Sequence, residues 1–125
     1  MLKKFLLLIL VIIALPFIVA LFVDKTYSVT TQVTINKPVT EVFDYVKYLK
    51  NQDNYSVWAQ MDPDMQKSYR GTDGMVGFVA GWVSDKEDVG EGEQEIMRID
   101  EGKRIDYALR FFKPFESNDM AHMQT

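Results

Sequence analysis

The sequence opens with an uncharged apolar run, Phe5 to Val23, that is too long and too uniformly apolar to belong to a small water-exposed fold. At about 1.5 Å per residue, a helix of this length crosses a hydrocarbon core about 30 Å thick. A secretory signal has a shorter apolar core and small residues at its cleavage site, whereas Ile18 stands two residues before the best candidate, Ala20. We therefore predict an uncleaved single-pass anchor over residues 1–25 and a folded domain over residues 26–125.

Charge predicts both the orientation of the anchor and the partners of the domain. Lys3 and Lys4 precede the span, and the positive-inside bias places them in the cytoplasm. The domain is then expected in the periplasm or outside the cell. All 18 acidic residues but only 12 of the 14 basic residues follow Lys4, so the rest of the chain carries a formal charge of −6. This acidity argues against nucleic acid as a partner. Whether a protein partner exists is left open.

Two segments after the anchor have clear periodicity. Between Tyr27 and Ile35 apolar and polar residues alternate, which predicts a strand covered on one side. Residues 36–51 begin with a turn and proline start signal and then carry apolar residues at helical spacing, which predicts an amphipathic helix. The stretch that follows is polar and irregular, with one short helical turn near 52–57. The apolar stripe of the helix consists of Val39, Val42, Phe43, Val46 and Leu49.

The next segment predicts two strands joined between Gly71 and Gly74. The second of them, residues 75–84, is apolar or glycine on both faces, which is typical of a central strand or a cavity wall. The acidic run over residues 84–95 is expected to face solvent on a strand at the edge of the sheet. One face of the second strand carries Val76, Phe78, Ala80 and Trp82.

A last hairpin joins residues 90–99 to 104–112, and its side chains argue for a register. A loop of even length places Ile96 beside Tyr107, whereas a loop of three residues places Glu95 there. Because a carboxylate on the apolar face is costly, we predict the even loop, with Ile99 opposite Arg104. The inner face of the hairpin then holds Gln94, Ile96, Ile105, Tyr107, Leu109 and Phe111.

Four segments together resemble the START-like superfamily that includes polyketide cyclases and Bet v 1-type proteins, in particular its membrane-anchored bacterial SRPBCC members. They are "INKPVTEVFDYVKYLKNQDNYSVW", "GTDGMVGFVAGWVS", "GEGEQEI" and "IDYALRFFKPF". The resemblance covers Tyr27 to the end and implies an α+β helix-grip fold, in which a curved antiparallel sheet grips a C-terminal helix around an apolar cavity. The last strands and the gripping helix of that pattern are not found before Thr125, so the resemblance implies a partial domain.

What the resemblance implies about function is the binding of a hydrophobic small molecule or lipid in the cavity. It also places Trp58 at the cavity mouth, although a tryptophan there could instead close the end of a small core. No cofactor is expected. The residues expected to line the ligand site are Trp58, Phe78, Trp82, Gln94, Ile96, Tyr107, Leu109 and Phe111.

Two other functions remain open alongside binding. A cyclase or dehydratase-like enzyme on the same scaffold would use Gln94, Tyr107 and Arg98 to assist enolisation, although these residues form no distinctive catalytic signature. A membrane-tethered interaction module would use its acidic surface. His122 lacks a companion histidine or cysteine, so neither a metal ligand nor a general base is expected there. Asp62 and Asp64 are expected to be a solvated turn, since calcium takes six or more oxygens.

Overall fold

The computed structural model describes residues 2–23 and 26–125, and the chain divides into two units, Met1–Thr34 and Ile35–Thr125. In the first, helix α1 spans Leu2–Phe22 with Pro16 inside it. Its part from Lys3 to Phe22 has a mean hydropathy of 3.3 and is long and apolar enough to cross a membrane. The predicted boundary between anchor and domain falls at Lys25, which lies outside the described residues.

The strand predicted between Tyr27 and Ile35 was wrong. Residues 26–35 have no regular secondary structure, and Tyr27 is 90% exposed. Alternation suits a strand only where a neighbouring strand satisfies its backbone groups. In the part of the chain that the structure describes, the paired strands all come from residues 66–124.

The second unit is an α+β domain built on one antiparallel sheet. Its strands pair in sequence order, β1 to β5, so each is hydrogen-bonded to the strand next to it along the chain. This meander needs only short connections, and it leaves β1 and β5 at the two edges. The strands are β1 Gln66–Arg70, β2 Val79–Val83, β3 Glu91–Asp100, β4 Arg104–Lys113 and β5 Ser117–Gln124.

The predicted strand over residues 75–84 is shorter than expected, because its first four residues belong to a loop. Gly71, Gly74 and Gly77 have φ angles of 86°, 79° and 86°, a left-handed conformation that interrupts a strand. Val76, predicted to share a strand face with Phe78, Ala80 and Trp82, is therefore exposed in this loop. The loop also carries Asp73, whose carboxylate accepts hydrogen bonds from backbone amides at the start of the 3₁₀ helix described below.

The β3–β4 hairpin has the predicted pairing in the core, but its loop length and its register near the loop differ from the prediction. Ile96 does pair with Tyr107, as predicted, but Ile99 pairs with Ile105 and not with Arg104. The loop has three residues, and a β-bulge between Ile96 and Arg98 corrects the register by one position. The even-numbered loop was thus wrong, while the exclusion of carboxylates from the apolar face was confirmed.

The core forms where the helices pack on one face of the sheet. Helix α2 spans Val39–Val46, a 3₁₀ helix spans Leu49–Asn54, and helix α3 spans Val57–Met61. Phe43 and Leu49 from the predicted stripe are buried, whereas Val39 at the start of the stripe is 54% exposed. The buried core cluster is Phe43, Leu49, Phe78, Ile96, Ile105 and Tyr107.

Candidate binding surface on the sheet

One face of the sheet is covered at one end and half open at the other. We call it the core face, because it bears Tyr107 and the rest of the buried cluster. Along β4, burial on this face falls from complete at Ile105 and Tyr107 to partial at Leu109 and Phe111. We call the half-exposed part the sheet floor. The pairing places four of the predicted site residues on it: Trp82, Gln94, Leu109 and Phe111.

The Trp82 ring lies close against the neighbouring strand because its pairing partner there is a glycine. Gly92 is the pairing partner of Trp82, and a Cβ built on it would lie 2.6 Å from the indole. The indole Nε1 donates a hydrogen bond to the Val89 carbonyl at 3.3 Å, and the ring meets Phe111 edge to face at 5.8 Å between centroids. Because the indole nitrogen is already partnered, the surface that Trp82 offers to a ligand is apolar.

Tyr107 precedes the sheet floor on the same face of β4 and carries a buried hydroxyl. Its side chain is 1% exposed, and its hydroxyl is buried with no hydrogen-bond partner among the described residues. Burial, and after it the nearby Tyr55 phenol, raises the pKa of Tyr107 above its ordinary value, so the hydroxyl stays protonated. A buried hydroxyl without a partner costs about 1–3 kcal/mol, so this group favours any molecule that can bond to it.

The other predicted site residues lie in three different surroundings. Phe78, which directly precedes β2, accepts a hydrogen bond at its carbonyl from the Ile96 amide at 3.0 Å, and both side chains lie in the packed core, where Phe78 also stacks on Tyr69 with centroids 6.0 Å apart. Trp58 lies on helix α3, not on the sheet, and is 58% exposed. Arg98, predicted to assist enolisation together with Gln94 and Tyr107, pairs with Asp106 on the opposite face because the bulge reverses the alternation after Ile96.

The prediction that the acidic run over residues 84–95 lies on an edge strand was wrong. Strand β3 lies in the centre of the sheet, and Glu93 is only 15% exposed at its side chain. Arg110 donates to Glu93 and to Glu95 at 2.6 Å each, and Arg70 donates to Glu93 at 2.9 Å. These pairs lie on the face opposite the sheet floor. They neutralise part of the acidic surface on which a protein-interaction role would depend.

This network predicts a loss of stability in acid. Burial raises the pKa of Glu93, but hydrogen bonds from Arg110 and Arg70 outweigh it and hold the pKa below its ordinary value of 4.5. A lowered pKa stabilises the folded state above the unfolded pKa, and that contribution is lost as the pH falls through the folded pKa. We expect the urea midpoint to fall as the pH drops below about 4.5, and Glu93→Gln to flatten that fall.

The control for this acid titration is Glu87→Gln, at an exposed position of the β2–β3 loop, where the acid profile should stay like that of the unaltered chain. Both variants remove one carboxylate, so their effects on net charge are equal. A Glu93→Gln profile that falls as steeply as the unaltered one would contradict the role given to this network.

Sequence reasoning missed a small acidic cleft beside the turn at Asp62. The cleft has a volume of about 270 Å³. Asp62 accepts a hydrogen bond from the Ser84 hydroxyl and lies 4.0 Å from the Lys86 ammonium, so its charge is already compensated. No group of three acidic, histidine or cysteine side chains suited to a metal ion occurs in the part of the chain that the structure describes. The lining residues are Asp62, Asp64, Met65, Gln66, Val83, Asp85 and Lys86.

No protein-family model, curated protein or solved structure matches the chain. The only support for the candidate site is therefore the arrangement of the residues on this face of the sheet. An apolar floor with one amide and one unpartnered hydroxyl can hold an apolar molecule and orient one polar group of it.

Proposed function

We propose that the chain is a membrane-anchored START-like domain that binds a hydrophobic small molecule or lipid on the core face of its sheet. The observation that carries the proposal is that the half-exposed residues of the sheet floor follow Tyr107 on the same face of β4, and that the buried Tyr107 hydroxyl has no partner among the described residues. Sites for small ligands are mostly apolar with few polar groups placed to orient the ligand. The ligand would lay its apolar body on Trp82, Leu109 and Phe111 and direct a polar group to Tyr107.

Binding is favoured over catalysis by the surroundings of the polar groups on this face. Arg98, a candidate for assisting enolisation, lies on the opposite face from Tyr107 and Gln94. A phenol whose pKa is raised by burial is a hydrogen-bond donor and a poor base. The remaining pair, Gln94 and Tyr107, is suited to orienting a carbonyl or hydroxyl group.

The membrane anchor favours the proposal that the ligand has low solubility in water. Helix α1 is long and apolar enough to span a bilayer, and we propose that it does so with Lys3 and Lys4 in the cytoplasm and the domain on the other side. The helix-grip arrangement is part of the proposal and rests on the α+β meander and the half-open core face.

The experiment that tests this function is native mass spectrometry of the full chain purified from membranes of its own source. Anything bound is then extracted under denaturing conditions and its mass determined. A stoichiometric apolar adduct is the expected result and would identify the ligand class. A chain that carries no adduct, and that also fails to bind the apolar dye anilinonaphthalene sulfonate when folded, would contradict the proposal.

Replacing Tyr107 with phenylalanine separates ligand binding from folding. The change deletes only the unpartnered hydroxyl, so the ligand-free chain should be stabilised, by up to about 1–3 kcal/mol. Affinity for the extracted ligand should fall about 2- to 13-fold, the equivalent of one neutral hydrogen bond of about 0.5–1.5 kcal/mol. Urea unfolding and a binding titration measure the two effects.

Opposite signs for stability and affinity are the signature of a ligand-directed hydroxyl. The matched control is Tyr69→Phe, because Tyr69 also stacks on the core but is 39% exposed. We expect that change to alter neither quantity appreciably. Unchanged affinity in Tyr107→Phe would remove the hydroxyl from the proposed site.

A further inference from the structure

The segment from Asn54 to Met61 is an exposed stretch without any charged residue. It contains helix α3, on which Val57 is 65% exposed and Trp58 is 58% exposed. Tyr55, which precedes the helix, has its ring 6.3 Å from that of Tyr45, and both tyrosines are partly exposed. We call the exposed side chains Tyr45, Tyr55, Val57, Trp58 and Met61 the aromatic patch.

The nearest charged residue on each side of residues 54–61 already has a partner within the domain. Before it, Asp53 forms an ion pair with Lys67 at 2.8 Å. After it, Asp62 accepts from Ser84, and the Lys86 ammonium donates to the Met61 carbonyl. A surface without an uncompensated charge loses little when water is replaced by a less polar medium. The patch therefore differs from the rest of this acidic domain, which anionic surfaces repel.

The composition of the aromatic patch fits one kind of environment. Tryptophan and tyrosine are enriched where an apolar medium meets water, because their rings are apolar and their N–H or O–H group is polar. The Asn54 amide, which donates to the Tyr45 hydroxyl at 2.9 Å, also gives that hydroxyl a partner of its own. These are the properties of residues that lie among lipid headgroups.

The chain carries its own segment that can hold the domain at a membrane, helix α1. Only the segment between Phe22 and Val39 separates helix α1 from helix α2. Even fully extended, its 16 residues reach at most about 53–58 Å, so the domain stays tethered to any bilayer that α1 crosses. A tethered contact needs little affinity of its own, because the tether holds it at a high effective concentration.

We propose that the aromatic patch docks the domain on the lipid headgroup region of the bilayer that holds α1, with Trp58 as its main contact. The inference rests on the proposed function only for the placement of α1 in the membrane. It makes Trp58 a membrane contact, which accounts for a large aromatic side chain left 58% exposed on a helix.

The test uses the full chain in phosphatidylcholine vesicles, with tryptophan fluorescence quenched by brominated lipids. The sequence has two tryptophans and none lies in α1, so Trp82→Phe leaves Trp58 as the single reporter. Bromine close to the headgroup should quench Trp58 more strongly than bromine deep in the chains, since interfacial segments lie roughly 5–10 Å into the headgroup boundary. The matched control is Val57→Asp in the same Trp82→Phe chain, because a carboxylate at this 65% exposed patch position should keep the helix out of the headgroups and abolish the quenching of Trp58.

Alkaline extraction of the same vesicles separates the two hypotheses. Retention of the chain with shallow quenching of Trp58 supports the docking. Retention without quenching of Trp58, or with quenching that Val57→Asp leaves unchanged, overturns the docking and leaves the anchor intact. Release of the chain by alkali overturns the anchor and the docking together.

Discussion

Replacing Phe43 with alanine is expected to destabilise the domain by about 3–5 kcal/mol, the usual cost of removing a buried aromatic ring. Phe43 is 2% exposed and is the contribution of helix α2 to the buried cluster on the core face. Sheet residues alone would leave that end of the face open to water. Since small domains have total stabilities of about 5–15 kcal/mol, the loss should be visible as a large fall in the urea midpoint of the full chain in detergent.

The matched control lies one turn earlier on the same helix. Val39 belongs to the same sequence stripe but is 54% exposed, so Val39→Ala should change stability by no more than about 0.5 kcal/mol. Near-UV circular dichroism follows the aromatic core in both variants. Equal effects at the two positions would mean that α2 does not pack on the sheet as described.

Side-chain chemistry predicted the core of this domain better than it predicted the backbone. The cost of burying a carboxylate was enough to place Ile96 opposite Tyr107, because that argument concerns which residues share a face. It did not determine how the chain achieves the pairing. A bulge and a three-residue loop satisfy the same requirement as an even loop, and the sequence offers no strong signal that separates the two.

The largest error is the strand predicted between Tyr27 and Ile35, and its cause is that a strand forms only where another strand can pair with it. The alternation between Tyr27 and Ile35 is a sound signal for a strand, but it says nothing about whether a sheet edge is available to that segment. The shortened strand β2 has a related cause. Glycines at positive φ and the carboxylate of Asp73, which holds the first amides of the 3₁₀ helix, make residues 71–78 a loop that joins two elements.

The sequence predicted which residues of the candidate site share one face of the sheet. It did not predict how deeply each of them is buried or which groups surround it. Alternation along β4 places Tyr107, Leu109 and Phe111 together, and the structure keeps them on one face. Two features needed the fold. The graded burial along that face depends on where α2 and the 3₁₀ helix end, and the isolation of the Tyr107 hydroxyl depends on every neighbour around it.

Replacing Gly90 with alanine should destabilise the domain by more than about 3 kcal/mol, because two separate costs add at this position. Gly90 has a φ of 64°, which costs a residue with a side chain about 1–3 kcal/mol. In addition, a Cβ there would lie 2.1 Å from the Lys113 carbonyl oxygen and 2.9 Å from its carbon. No rotamer relieves a clash with backbone, so β3 and β4 would have to separate at this end of the sheet.

Gly102 provides the control that separates conformation from close approach. Its φ is 72°, nearly the same as that of Gly90, but a Cβ built on it meets nothing within 4 Å. Gly102→Ala should therefore carry only the conformational cost of about 1–3 kcal/mol. Urea unfolding of the two variants measures the difference, which we attribute to the contact with Lys113. If both alanines cost the same, strands β3 and β4 do not approach as closely at Gly90 as the structure places them, and the end of the sheet floor at Phe111 would be wider than described.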